Sequence, residues 1–169
     1  MNAKTLLSLV AWLVLAANAL AQGVIHGRTI GVTDGDTIHV LTSEKQLLKV
    51  QVAFVDAPES SQAFGQRAKQ AMSALVFGKD VELRLHTADR YGQLVCMVFV
   101  AGRDAGLELI KHGLAWAYER YLTEASPEIQ AKYLAAETAA HVSRLGLWQD
   151  NNAQPPWEYL KAEREQRFR

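Results

Sequence analysis

Five short runs rich in β-branched and apolar residues, at about 24–33, 36–42, 46–55, 79–86 and 93–101, alternate with turn residues in this chain. A sheet of strands this short has two exposed edges, and closing it into a barrel removes both. Asp34-Gly35 between the first two runs is a strong two-residue hairpin signal, and Thr42-Ser43-Glu44-Lys45 reads as a second hairpin loop, so the first three strands are expected as a meander. Helical spacing begins after the third run, where Phe64, Ala68, Ala71, Met72 and Leu75 share one face and Gly78 ends it. A short helix at about 104–112 has Asp104 as its N-cap and stops at Gly113. A last helix opens at Ser126 and Pro127 and is expected to close at Gly146. The order is βββαββαα.

The expected class is therefore α+β, a five-stranded antiparallel barrel of the OB type with about three helices. Residues 1–21 are set apart from it: Lys4 precedes the apolar run Leu6 to Ala17, and Ala19 and Ala21 offer the small residues of a cleavage site. That pattern predicts a signal peptide cut before Gln22, and with it a chain that is exported to a periplasm or beyond the cell and carries no membrane segment once cut. The run is too short for a spanning helix, which needs about 20 apolar residues. Residues 22–150 then read as one domain and residues 151–169 as a polar tail broken by Pro155-Pro156, its end at 161–169 expected as a frayed or surface-packed short helix. With 18 basic and 18 acidic side chains there is no global positive field, so any binding of a polyanion must rest on local patches. The single cysteine, Cys96, allows no internal disulfide and sits in the apolar stretch LVCMVFV, where it reads as a buried hydrophobe. The five histidines show no metal-ligand spacing.

The chemistry gathers around two acidic stretches. Asp36 begins the second strand and Asp56 ends the third, and in a meander those two ends can meet. Two carboxylates with backbone carbonyls make a hard-oxygen site suited to calcium. Pro58 holds Glu59 at a fixed offset from Asp56, where a carboxylate can serve as a base toward water. On spacing alone, the same residues also read as turn chemistry at Asp34-Gly35 and as a helix-start signal in DAPE.

Four stretches in order, DGDT at 34–37, VDAPE at 55–59, DRYGQ at 89–93 and IKHGLAWAY at 110–118, resemble the staphylococcal nuclease (thermonuclease-like) family. The resemblance runs from about Val24 to Trp148 and implies a five-stranded OB-type barrel with three helices and calcium-dependent cleavage of DNA and RNA; a monomer is the separate expectation for the chain. Position by position, it implies that Asp36 and Asp56 are calcium carboxylates, that Ala57 supplies a backbone carbonyl, and that Glu59 is the general base. It places Arg90 and Tyr91 near a terminal phosphate of the bound nucleotide and Tyr118 beside the nucleotide. It also marks a departure, because the two positions that hold arginine in the family are Gln51 and Gln93 here. Arginine's planar, permanently charged fork clamps a phosphate and stabilises charge developing on its oxygens, whereas glutamine donates hydrogen bonds without charge. Lys49, two residues before Gln51 on the same strand face, is the nearest substitute in sequence.

Two function classes follow. The acid trio Asp36, Asp56 and Glu59 points to an exported nuclease whose rate is attenuated or rerouted through Lys49. Gln51 and Gln93 point instead to a catalytically silent OB-type module that binds nucleic acid or nucleotides. A purely structural barrel explains neither set.

Overall fold

The computed structural model describes residues 23–88 and 93–167. The expected signal peptide and the positions of Arg90 and Tyr91 lie outside them. Five strands build the barrel: β1 (Val24–Val32), β2 (Thr37–Thr42), β3 (Leu47–Val52), β5 (Asp80–Ala88) and β6 (Leu94–Val100), with a two-residue β4 (Val55–Asp56) between β3 and β5. All five fall on the predicted runs. Around the barrel the order is β3-β2-β1-β5-β6, and a β3–β6 pairing closes it.

That closing pair is parallel, with Val50 opposite Leu94, Gln51 opposite Val95 and Val52 opposite Cys96. The expectation of a purely antiparallel barrel is thereby corrected, for a topological reason. Strand direction cannot alternate around a ring of five, so one junction must join strands that run the same way. This junction brings the chain around Gln51 against the chain just after Gln93.

Alternation along the strands sets the core. Ile38 and Val40 from β2, Val50 and Val52 from β3, and Cys96 and Val98 from β6 all point inward and are buried. Each such aliphatic side chain contributes about 1.5–3 kcal/mol when fully withdrawn from water. Cys96 is buried as expected, and that burial pushes its thiol up to about 12. Helix α1 (Gly65–Val76) lays Ala68, Met72 and Val76 against this core.

A two-residue strand β7 (Arg103–Asp104) leads into α2 (Ala105–Lys111), which Asp104 caps through the Leu107 amide as predicted. The other Asp104 oxygen accepts from Tyr133 Oη at 2.8 Å, which ties α2 to α4 (Pro127–Val142). A short strand β8 (Trp116–Ala117) and a one-turn helix α3 (Glu119–Leu122) connect them. Helix α4 opens at Ser126 and Pro127 as expected but ends four residues before Gly146. Arg144, φ 51°, is the first left-handed residue after the helix; Gly146 is left-handed as well, φ 51°, and packs backbone to backbone on Gly113, where a Cβ would lie 2.2 Å from the Gly113 oxygen. A fifth α-helix, α5 (Pro156–Arg167), occupies the stretch read as a tail, so the described residues hold five α-helices rather than about three. Among the described residues, no helix is long and apolar enough to cross a membrane.

Candidate active site

The loop between β1 and β2 places the first acids. Thr33 N–H donates to the Thr37 carbonyl, so the hairpin loop is Thr33–Asp36, longer than the two residues read from Asp34-Gly35. Gly35 is required for closeness rather than for a left-handed turn. A Cβ there would sit 2.5 Å from the Ala57 Cβ and 2.7 Å from the Ala68 Cβ. The loop can therefore lie flat on the segment that carries Asp56 and Ala57. Asp34 Oδ1 accepts the Asp36 amide at 3.1 Å and holds the turn.

The third strand ends differently from the continuous 46–55 run expected. Phe54 has φ 65°, a left-handed conformation that costs a non-glycine residue energy and breaks the strand. Its ring is fixed between His86, at 4.8 Å, and Tyr133, at 6.5 Å. After this kink Val55 and Asp56 leave the barrel and pair with Ala117 and Trp116 of β8. The kink thus re-aims Asp56 and delivers Tyr118, one residue past β8, to the same mouth of the barrel.

Asp36 and the Asp56–Ala57 segment do meet. Asp36 is only 6% exposed, and its Oδ2 accepts the Ala57 amide at 2.9 Å. Burial raises its pKa well above the usual carboxylate range, and the charges of Asp34 and Asp56 raise it further. Burial, then Glu59, then Asp34 push Asp56 up to about 7. Glu59, half-buried, is also raised, by desolvation and then by Asp34 and Glu163. Among the described residues no lysine, arginine or histidine pairs with any of these four acids; the ion pairs lie elsewhere, at Glu82, Glu108 and Glu124. Carboxyl groups held partly out of water, with no basic side chain paired to them among the described residues, are groups that a cation could engage in place of their protons. No three His, Cys, Asp or Glu side chains among the described residues converge as a metal-holding group; the oxygen groups the fold brings together are Asp36 and the Asp56–Ala57 segment, joined through the Ala57 amide. Such a set is all hard oxygen and suits calcium better than zinc.

Beside the acids lies a pocket of about 500 Å³, lined by Gln51, Asp56, His86, Tyr118, Tyr121 and Glu124 among others. Gln51 Oε1 accepts from Gln93 Nε2 at 3.1 Å and from Thr37 Oγ1 at 3.0 Å. Gln51 therefore lines the pocket, and Gln93 is held against it by that hydrogen bond. Lys49 is exposed on β3 opposite His39 and is not part of the pocket lining. Tyr118 has Tyr121 edge-on at 5.0 Å and the Trp157 ring stacked on it at 5.2 Å, 14° from parallel.

Sequence reading missed several of these groups. Thr37, part of the quoted DGDT, received no role, yet it sits between Asp36 and Gln51. His86 and Glu124, paired at 2.9 Å across the pocket, are 38 positions apart with no local pattern to join them. Tyr121 had a readable signal, since it lies three residues from Tyr118 on a helical turn. Trp157 had none.

Comparison with known proteins agrees with this geometry. The family model described as staphylococcal nuclease homologue matches residues 49–150. An uncharacterized endonuclease of Haemophilus influenzae is 35% identical over 96% of this chain and 88% of its own length. A micrococcal nuclease of Shigella flexneri is 35% identical over 88% of both chains. Protein ParB of Escherichia coli is 36% identical over 88% of this chain and 85% of its own. With the closed barrel, the two meeting acidic stretches and the matched span all in agreement, the chain belongs to the staphylococcal nuclease family.

Proposed function

We propose that this chain is a thermonuclease-like nuclease that hydrolyses phosphodiester bonds of DNA or RNA with calcium, and that it acts as an exported monomer in a periplasm or outside the cell. The observation that carries the reading is the gathering of Asp34, Asp36, Asp56 and Glu59 at one barrel mouth, without a paired cation among the described residues, beside an aromatic pocket large enough for a nucleotide. Asp36, Asp56 and the Ala57 carbonyl hold the metal in this reading. When bound, it supplies charge neutralisation and polarises a phosphate oxygen.

The rest is done by side chains. Glu59, its proton affinity raised by partial burial and neighbouring acids, takes a proton from the attacking water. Tyr118 bounds the nucleotide pocket, and the role at the terminal phosphate goes to Arg90 and Tyr91, which lie outside the described residues, on the family resemblance alone. Gln51 and Gln93 offer amide donors to the scissile phosphate, where arginines would add charge. An arginine that stabilises a phosphoryl-transfer transition state is worth about 10³–10⁵ in rate, so attenuated turnover is part of the proposal; Lys49, outside the pocket lining but two residues from Gln51 on the same strand, is the substitute cation if its long side chain reaches across to the phosphate. A second reading, a silent nucleic-acid-binding module, is favoured by the Gln93–Gln51 hydrogen bond, which engages both replacement side chains with each other.

Digestion of single-stranded DNA by the purified mature chain, with and without calcium, separates the two. Calcium-dependent cleavage that Glu59→Gln lowers by about 10²-fold is the expected outcome. Binding of DNA without cleavage at any calcium concentration would establish the silent module instead.

A further inference from the structure

We propose that the C-terminal segment from Gln154 through α5 is a strap that fixes the loop bearing Glu59, with Gln62 and Tyr159 as positioning residues. The catalytic consequence rests on the nuclease reading; the strap itself does not.

Between Pro58 and Phe64 the chain forms no helix or strand, only irregular chain, turns and a bend, yet this stretch carries Glu59. A short irregular loop belongs to the low-stability end of a fold unless something holds it. Inside the loop, Gln62 Oε1 accepts the Glu59 amide at 3.0 Å, and Gln62 N–H donates to the Glu59 carbonyl at 2.8 Å. The other end of the same side chain leaves the loop, since Gln62 Nε2 donates to the Gln154 carbonyl at 2.9 Å. One amide therefore links the Glu59 backbone to a segment more than ninety residues away in sequence.

A second tether lies beside it. Ser61 Oγ and Tyr159 Oη are 2.9 Å apart, and Tyr159 Oη donates to Glu163 Oε1 at 3.0 Å. With its proton on Glu163, the tyrosine oxygen is the acceptor for Ser61. The strap is itself anchored to the other wall of the site, because Trp157 stacks on Tyr118 and stands edge-on to Trp116 at 6.3 Å. Pro156, at the start of α5, is buried. The segment therefore touches both the loop that carries the base and the aromatic that bounds the nucleotide pocket, and it begins beyond residue 150, where the family match ends.

The test uses the full mature chain with three variants: Gln62→Ala, Tyr159→Phe, and Trp157→Ala combined with Tyr159→Phe. The last two leave the loop's own residues untouched. Native-state amide hydrogen exchange is expected to be about tenfold faster at Glu59 and Gln62 in Gln62→Ala and in the double variant, and to rise less in Tyr159→Phe, while β2 and β3 amides keep their protection. With calcium and single-stranded DNA, kcat of Gln62→Ala and Tyr159→Phe should fall by about three- to tenfold with KM within about twofold, because a misplaced base slows chemistry without loosening substrate. Unchanged exchange at residues 59–62 in the double variant would overturn the strap. Faster exchange with unchanged kcat would overturn the positioning roles. If the unmodified chain cleaves nothing, the nuclease reading falls and the exchange pattern still decides the strap.

Discussion

Gln93 gives its amide hydrogen to Gln51 across 3.1 Å, and Thr37 gives a second to the same oxygen. Two neutral side chains are thus bonded to one another at the positions where the family resemblance leads one to expect two cations. Restoring both cations should restore rate: Gln51→Arg with Gln93→Arg is expected to raise calcium-dependent cleavage of single-stranded DNA by about 10²-fold, with either change alone doing little because the pair acts as one clamp. Lys49→Ala in the unmodified chain should lower the remaining rate by about tenfold. Initial rates on the same substrate read both effects; a double variant that binds calcium, folds and cleaves no faster would place the defect elsewhere. The acids make a separate prediction. The folded chain keeps Asp56 protonated up to about pH 7, whereas the unfolded chain releases that proton near 3.8. The resulting stabilisation is complete below the unfolded value and is lost as pH rises through the folded one. Calcium-free stability should therefore fall between about pH 4 and pH 7.5, Asp56 alone contributing an amount on the order of a few kcal/mol, and Asp56→Asn should reduce the slope in denaturant titrations by that share while Asp36 and Glu59, also raised, keep the remainder.

At the scale of elements, the site depends on two interruptions of regular structure. The Phe54 kink separates β3 from β4 and turns Asp56 toward β8, and the Thr33–Asp36 loop folds down onto Ala57. Their packing is tight enough that one methyl group tests it. Gly35→Ala would place its Cβ against the Cβ atoms of Ala57 and Ala68, both well inside contact distance. Neither neighbour can rotate away, because a Cβ moves only with its backbone. Overpacking of this kind costs about 1–3 kcal/mol, so the variant should show a lower Tm and, because the loop must lift, a smaller stabilisation by calcium. A variant with unaltered Tm and calcium response would mean that the loop does not rest on Ala57 in solution.

For the whole molecule, closure and charge act together. A ring of five strands needs one parallel junction, and it falls between β3 and β6, next to the site. A chain of zero formal net charge then concentrates carboxylates at one mouth, where a metal bound only by the folded state adds stability as RT ln(1 + [L]/Kd). Calcium should raise the unfolding temperature, and Asp36→Ala with Asp56→Ala should abolish the rise; a shift that survives the double change would put the metal elsewhere.

The five strands, the α1 and α2 helices and the opening of α4 were legible in the sequence because each is set by local periodicity, capping residues and turn chemistry. Asp36, Asp56 and Glu59 were legible because they lie in short motifs at the ends of those elements, and Cys96 because its neighbours are all apolar. Local rules could not reach the rest. The parallel junction follows from ring closure, which no single strand encodes. The kink at Phe54 uses a non-glycine residue in a conformation that only its packing on His86 and Tyr133 sustains. Gly35 reads as a turn residue, but its need arises from Ala57 and Ala68, brought against it by the fold. The C-terminal segment reads as a polar tail because its partners, Gln62, Ser61 and Tyr118, stand far away in sequence; tertiary structure alone made it part of the site.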